Sequence, residues 1–186
     1  HVCLRAIQLI PSIWPQGEAA LPTLFDLIRT KSAEWPEVAQ RALMAAAQVR
    51  SETDIVPELV TAAMQGPSSA KNTLTAQVLL LKSQIKDSSP YFAASLQPYL
   101  NSLAADDRLA AAQALAQLPG PKNPAVLAEL IASLEGADGT HKDKDRVRRS
   151  LEALWKMGAE ARDAIPALQT LGQQDSDFRD FANLVL

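Results

Sequence analysis

A short Pro-x-Leu pattern recurs along this chain and constrains its fold more than any other feature. Its four copies are PTL at 22–24, PEL at 57–59, PYL at 98–100 and PAL at 166–168. Each copy lies in an apolar pattern of helical spacing, and AVLAELIASL has the same pattern with its proline moved ahead. The equivalent leucines are Leu24, Leu59, Leu100, Leu130 and Leu168. Their separation of roughly 30 to 40 residues is typical of solenoid proteins, whose periods are roughly 20–50 residues.

The residue types favour helices throughout. Alanine and leucine, the best helix formers, are abundant, whereas aromatic residues make up only 5% of the chain. No run of β-branched residues bounded by turn residues predicts a strand. We therefore predict an all-α fold, an α-solenoid of about five stacked antiparallel helix hairpins. We expect residues 1–186 to form one continuous domain of this kind.

Charge and hydropathy argue against a general nucleic-acid binder and against a membrane-spanning helix. The net charge of -3 does not favour a general nucleic-acid binder, because phosphate neutralisation requires a basic surface. No apolar run reaches the roughly 20 residues of a membrane span. The single cysteine, Cys3, cannot form an internal disulfide, so the chain carries no information about its compartment. Both ends fall within helical patterns, and we expect the chain to be a domain of a longer protein.

No residue pattern predicts a reaction, a metal or a cofactor. The two histidines, His1 and His141, lie far apart in the sequence, whereas a metal site needs several convergent ligands. Asp138, Asp143 and Asp145 lack the spacing of a calcium-binding loop. No serine sits in a G-x-S-x-G turn, and no glycine-rich loop resembles a phosphate cradle. We therefore expect a chain that is not an enzyme, with no catalytic residue and no cofactor.

Residues 145–186 resemble the HEAT-repeat family in its short bacterial form, which phycobilin lyase subunits also carry. In that form a Val-Arg pair opens an alanine-rich helix, a Gly and acidic turn follow, and the next helix carries Ile-Pro-x-Leu. The matching residues here are Val147–Arg148, Gly158–Ala159–Glu160 and Ile165–Pro166–Ala167–Leu168, with Phe178–Arg179 opening the next helix. Arg41 and Arg108 lie near equivalent positions. The resemblance covers nearly the whole chain but is strong only in this last quarter.

The resemblance implies a right-handed superhelix, that is, a right-handed α-solenoid, whose second helices line the concave side. HEAT proteins are mostly scaffolds and adaptors, so it implies a non-catalytic protein-binding scaffold that binds another protein or another part of its own parent chain. Alternatives are a regulatory or docking segment of a larger enzyme, a chaperone-like role in cofactor attachment, and a nucleic-acid-binding or DNA-repair module. The paired His-Glu motifs of deoxyhypusine hydroxylase, another HEAT-like family, do not occur here.

Polar residues of the second helices are our candidates for partner binding. Helical spacing places each of two sets on one face and leaves Leu74, Val78, Leu151 and Leu154 for the core. The candidates are Lys71, Thr75, Lys82, Arg149, Glu152 and Lys156. The alternative is that these residues form an ordinary solvent-exposed face that binds no partner. The most basic stretch of the chain is HKDKDRVRR at 141–149. The chain has three tryptophans, Trp14, Trp35 and Trp155, and we expect them to pack between hairpins.

Overall fold

In the computed structural model of the protein, the described residues are 2–13, 16–32, 34–50, 53–67, 75, 78, 89–120, 123–135, 141–174 and 178–179. This part of the chain is helical and contains no strand. The chain divides into two compact units, His1–Pro98 and Tyr99–Leu186. The fold is therefore all-α, as predicted, while a single continuous domain over residues 1–186 stays a prediction.

The first unit contains five of the α-helices described here. They are α1 (Val2–Leu9), α2 (Leu21–Lys31), α3 (Pro36–Val49), α4 (Val56–Met64) and α5 (Ser89–Leu96). Helices α2 and α3 pack against each other as neighbours in sequence. Helix α4 packs on α5, the next helix described. The pairs α1 with α3 and α2 with α4 each join helices that are separated by one other helix. Packing in this unit thus links helices across an intervening element.

The second unit has the same kind of packing. Its helices are α6 (Ala105–Ala116), α7 (Pro124–Glu135), α8 (His141–Met157) and α9 (Ile165–Gln174). Consecutive helices α6 and α7 pack together, as do α7 and α8. Helix α6 also packs on α8, and α7 on α9, so next-but-one helices are in contact here too.

Proline and glycine explain most of the helix boundaries. Proline occupies the first or second position of α2, α3 and α4, where its missing N–H costs no hydrogen bond. Pro98 lies deep in the apolar pattern of residues 91–103 and predicts a kink there. In the structure it lies just after the end of α5, in the 3-10 helix Gln97–Asn101. Gly158 follows α8 with a φ of 57°, the left-handed conformation expected of a glycine at a helix C-terminus.

The repeat pattern identifies the core correctly. The five equivalent leucines are all buried, and Val78, Leu151 and Leu154 are buried as predicted. Leucine and isoleucine dominate the buried surface of α2, whereas α6 buries the unbroken run Leu109–Ala116, which is mostly alanine. Small side chains allow a helix to be covered on several sides at once, because neighbouring backbones can come close.

A buried hydrogen-bond network connects the three helices α6, α7 and α8. The Gln113 side-chain amide donates to the Ser150 hydroxyl at 3.1 Å, and the Ser133 and Ser150 hydroxyls are 2.7 Å apart. The Ser133 hydroxyl also contacts the Leu130 carbonyl at 2.6 Å, and the Ser150 hydroxyl contacts the Arg146 carbonyl at 3.1 Å. Buried polar groups need such partners, so this network fixes how the three helices meet.

Several local predictions were wrong. The sequence predicts that Asp54 and Asp106 cap helices, because aspartate is a favoured N-cap residue. The N-cap positions of α4 and α6 are instead Ile55 and Ala104, and neither helix has a side-chain cap. Local 3-10 and extended geometry thus replaces the expected side-chain caps. The sequence predicts a loop over residues 136–144 and a helix from residue 145, but α8 begins at His141, inside that stretch.

The prediction that the tryptophans pack between hairpins is wrong for Trp35 and Trp155. Trp35 is 61% exposed and Trp155 is 52% exposed, so neither packs between helices. Trp14 lies outside the described residues, as does the side chain of Cys3. Among the helices in the described ranges, none is both long enough and apolar enough to cross a membrane.

Candidate interaction surfaces

The largest cavity that we describe is an open groove in the first unit. Its volume is about 550 Å³, and it runs beside α2 and α4. We call it the α2–α4 groove. It is lined by Glu18, Leu21, Pro22, Phe25, Arg29, Arg50, Pro57, Glu58, Thr61 and Ala62. Its volume lies within the roughly 300–1,000 Å³ of typical binding pockets, so it has room for several side chains of a partner.

The floor of the α2–α4 groove is apolar. Leu21 and Phe25 lie one turn apart on α2, and Ala62 contributes from α4. Pro22 and Pro57 add exposed ring surface near the start of the two helices. Apolar surface of this kind favours the burial of an apolar side chain of a partner.

The two arginines of the groove, Arg29 and Arg50, differ in their neighbouring carboxylates. Arg50 lies 3.9 Å from the Glu18 carboxylate and 3.7 Å from the Asp54 carboxylate. Arg29 donates to the side-chain oxygen of Gln65 at 3.4 Å, and Gln65 carries no charge. Within the part of the chain that the structure describes, Arg29 has no carboxylate within ion-pair distance. Arg29 is therefore the groove residue best suited to attract an incoming carboxylate.

Three of the predicted partner-binding residues lie on α8. Glu152 is exposed, but its carboxylate accepts a hydrogen bond from Arg148 at 3.0 Å. Lys156 is exposed, and its amino group lies 5.1 Å from the centre of the Trp155 ring. Arg149 is partly buried. The helix therefore presents Glu152 and Lys156 to solvent, with Arg149 between surface and core.

Trp155 is an exposed aromatic residue that the sequence analysis did not assign to this surface. It is adjacent to Lys156 in sequence and three residues after Glu152, so it borders the same face of α8. Tryptophan is enriched in protein interfaces, and a cation over its ring adds a weak attraction. The spacing from Glu152 was the signal that would have identified it. We call Arg149, Glu152, Trp155 and Lys156 the α8 patch.

The other candidate residues do not form a described surface. Thr75 is only 2% exposed, and its hydroxyl contacts the Met64 sulfur at 3.5 Å. Its prediction as a surface residue was wrong, because a small hydroxyl side chain fits inside a helix interface when it has a buried partner. Lys71 and Lys82 lie outside the described residues, as does Leu74.

The basic cluster at the start of α8 is interrupted by acidic partners. Arg148 contacts Asp145 at 3.4 Å as well as Glu152. These exposed pairs reduce the positive potential that a nucleic-acid backbone requires. In the described ranges, no three histidine, cysteine, aspartate or glutamate side chains come together as metal ligands would.

The groove was missed by the sequence analysis for a simple reason. Its lining residues lie between Glu18 and Ala62, and they come together only when α2 and α4 pack side by side. The Pro-x-Leu copies at 22–24 and 57–59 mark the two helices, and Pro22 and Pro57 both line the groove. This correspondence between repeat positions was the available signal.

Comparison of the chain with protein-family models, with curated proteins and with solved structures gives no match. The resemblance of residues 145–186 to the HEAT-repeat family therefore stays a prediction.

Proposed function

We propose that this chain is a non-catalytic protein-binding scaffold and that the α2–α4 groove receives a segment of its partner. The observation that carries the proposal is the combination of an apolar floor with one arginine, Arg29, that has no charged partner described. The partner segment has matching chemistry: a bulky apolar side chain on the floor, and an Asp or Glu near it in sequence that pairs with Arg29.

The helix packing supports a scaffold built from repeated hairpins. In each unit, taken by itself, a helix packs on its neighbour and on the next helix but one. Such contacts are expected when hairpins stack, because each hairpin completes its apolar core against the next. We infer a HEAT-like α-solenoid on this basis and on the burial of the five equivalent leucines.

A random-peptide display against the whole chain tests the groove. We expect enrichment of peptides that combine a bulky apolar residue with Asp or Glu. Arg29→Glu places a negative charge at the groove, so the selected peptides should lose their acidic residues and gain Lys or Arg. Lys31→Glu is the matched control, because it reverses a charge on the same helix outside the groove lining, and it should leave the selection unchanged.

Two outcomes count against the groove. One is the absence of any enriched pattern with the parent chain. The other is an Arg29→Glu variant that selects the same peptides as the parent chain. Reversing the charges of Arg149 and Lys156 in the same screen tests the α8 patch, which stays a prediction. If the variant with reversed charges at Arg149 and Lys156 loses the selected peptides and the Arg29→Glu variant does not, the binding site lies on α8 and not in the groove.

A further inference from the structure

The α2–α4 groove has a direction, because its two helices run the same way. Arg50 lies 3.9 Å from Glu18, which precedes α2, and 3.7 Å from Asp54, which precedes α4, so both helices begin at one end of the groove. At the other end, Arg29 in the last turn of α2 donates to Gln65, the residue that follows α4. We call these the N-terminal and the C-terminal end of the groove.

The N-terminal end of the groove is negatively charged. Glu18 and Asp54 share the single guanidinium group of Arg50. Glu58 is exposed in the first turn of α4 and lines the groove, and its carboxylate has no ion-pair partner within the described ranges. The described residues thus place three carboxylates beside one arginine here, whereas Arg29 lies at the C-terminal end. The groove is complementary to a segment with charges of opposite sign on either side of an apolar part.

The floor of the groove favours an occupant that satisfies its own backbone. The main-chain groups of α2 and α4 bond within each helix, and the floor between the charged ends is formed by Leu21, Phe25 and Ala62, with Thr61 as a polar neighbour. An extended segment on this floor would lose water from its N–H and C=O groups without gaining partners. An α-helix satisfies these groups internally and can place one apolar face in the groove.

The spacing of the groove charges determines where the charges of such a helix lie. Glu58 and Gln65 are seven positions apart along α4, and Gln65 marks the place of Arg29. At 1.5 Å per residue, the two points are about 10 Å apart along the helix axis, which is two turns. A helix in the groove matches them with charged residues at positions i and i+7, and with apolar residues at i+3 and i+4 on the same face.

Helix dipoles determine which way this helix runs. Both α2 and α4 have the negative ends of their dipoles at the C-terminal end of the groove, beside Arg29. A helix antiparallel to them brings its positive end there, so that an acidic residue of its first turn meets Arg29 and a basic residue of its last turn meets Glu58. The same two residues stabilise the dipole of the incoming helix. The parallel orientation would oppose both preferences.

We propose that the α2–α4 groove binds an amphipathic α-helix of a partner protein, antiparallel to α2 and α4. This helix carries Asp or Glu at position i, apolar residues at i+3 and i+4, and Lys or Arg at i+7. The inference rests on the function proposed for the groove, and it adds the conformation of the partner segment, its direction and a second charged contact at Glu58.

Display of a helical peptide library against the whole chain tests the proposal. The library has a fixed alanine-rich background and random residues at i, i+3, i+4 and i+7, so the charge order of a selected peptide reports its direction. We expect Asp or Glu at i, apolar residues at i+3 and i+4, and Lys or Arg at i+7. The reverse charge order or an absent preference at i+7 would overturn the proposal. Equal enrichment from a second library with a central proline, which breaks the helix, would overturn it too.

Charge reversal at Glu58 tests the second contact. Glu58→Lys should change the preference at i+7 from Lys or Arg to Asp or Glu, and it should leave the preference at i as in the parent chain. Glu37→Lys is the matched control and should select as the parent chain does. Glu37 is exposed, also follows a proline in the first turn of its helix, and lies outside the groove lining. An unchanged preference at i+7 in Glu58→Lys contradicts the proposal.

The strength of the second contact is measured with one selected peptide. Replacing its basic residue at i+7 by Gln should weaken binding to the parent chain about two- to fivefold, as is typical of an exposed ion pair. The same replacement should have no effect on binding to Glu58→Gln, because the partner charge is then absent. An equal loss with the parent chain and with Glu58→Gln would show that the basic residue does not meet Glu58.

The results at the two charged positions separate this inference from the function on which it rests. If the selected peptides depend on Arg29 but show neither helical spacing nor a basic residue at i+7, the groove binds a partner segment and the antiparallel helix is wrong. If Arg29→Glu selects the same peptides as the parent chain, the groove is not the binding site and both proposals are wrong.

Discussion

Ser150 joins three helices of the second unit through one hydroxyl group. It lies within hydrogen-bond distance of the Gln113 amide on α6 and the Ser133 hydroxyl on α7, and it is fully buried. Gln113 is also buried, so it has little access to water when that acceptor is removed. The cost of changing Ser150 should therefore be the cost of a buried donor left without a partner.

We expect Ser150→Ala to lower the free energy of unfolding by about 1–3 kcal/mol. Thr170→Ala is the control: its exposed hydroxyl contacts the Pro166 carbonyl, and the loss should stay within about 0.5 kcal/mol. Adding Gln113→Leu to Ser150→Ala should recover part of the lost stability, because both polar partners are then replaced by apolar groups. Urea denaturation measures all three variants. A Ser150→Ala variant as stable as the parent chain would contradict this role of the network.

Residues of this network show what the sequence could not predict. Gln113 and Ser133 are polar, and in a helical pattern polar residues normally mark the solvent face. Thr75 is a further polar residue that is buried, although its position in the helical pattern predicts exposure. The leucines, by contrast, are identified by apolar spacing alone. Whether a buried polar residue is acceptable depends on a partner from another helix, and a single sequence does not reveal which residues meet across helices.

At the scale of an element, Gly158 determines how α8 ends. Its φ of 57° lies in the left-handed region, which costs an L-residue roughly 1–2 kcal/mol. A Cβ added at Gly158 would meet no atom within 4 Å, so the backbone conformation alone sets the penalty.

We therefore expect Gly158→Ala to lower the free energy of unfolding by about 1–2 kcal/mol. Gly158→Asn should lose less, because asparagine tolerates the left-handed conformation better than alanine does. Thermal denaturation followed by circular dichroism gives the order of stability. If asparagine is at least as destabilising as alanine, the left-handed conformation is not the cause.

Element boundaries were harder to predict than the elements themselves. Proline marked the starts of α3 and α4 correctly, because its missing N–H is tolerated in the first turn. Asp54 and Asp106 suggested capping, yet an aspartate caps a helix only when it occupies the position just before the first turn. Asp54 lies one position before the N-cap residue Ile55, and Asp106 lies two positions after the N-cap residue Ala104. A shift of this size is invisible to pattern analysis.

At the scale of the whole molecule, Leu168 tests how stability is distributed along the chain. It is buried in α9 of the second unit, two residues after Pro166. Replacing a buried leucine with alanine removes apolar contacts and leaves a cavity, at a cost of about 2–5 kcal/mol. In a solenoid each repeat depends mainly on its nearest neighbours, so the loss should be local.

We expect Leu168→Ala to increase amide hydrogen exchange in residues 145–186, while residues 20–65 remain protected as in the parent chain. Gln169→Ala, an exposed position on the same helix, should change neither region. Loss of protection along the entire chain would indicate one tightly coupled globule and contradict independent stacking. Unchanged exchange in both regions would contradict the expected cost of the cavity.

The buried run Leu109–Ala116 in α6 has a consequence for how this protein can change over evolutionary time. A helix with one solvent face can accept new residues at every third or fourth position, but this segment offers none that is exposed. Replacement of its alanines by larger residues meets a densely packed surround, which leaves little besides exchange among small side chains. Substitutions are therefore expected to be tolerated less readily within Leu109–Ala116 than at exposed positions of the chain.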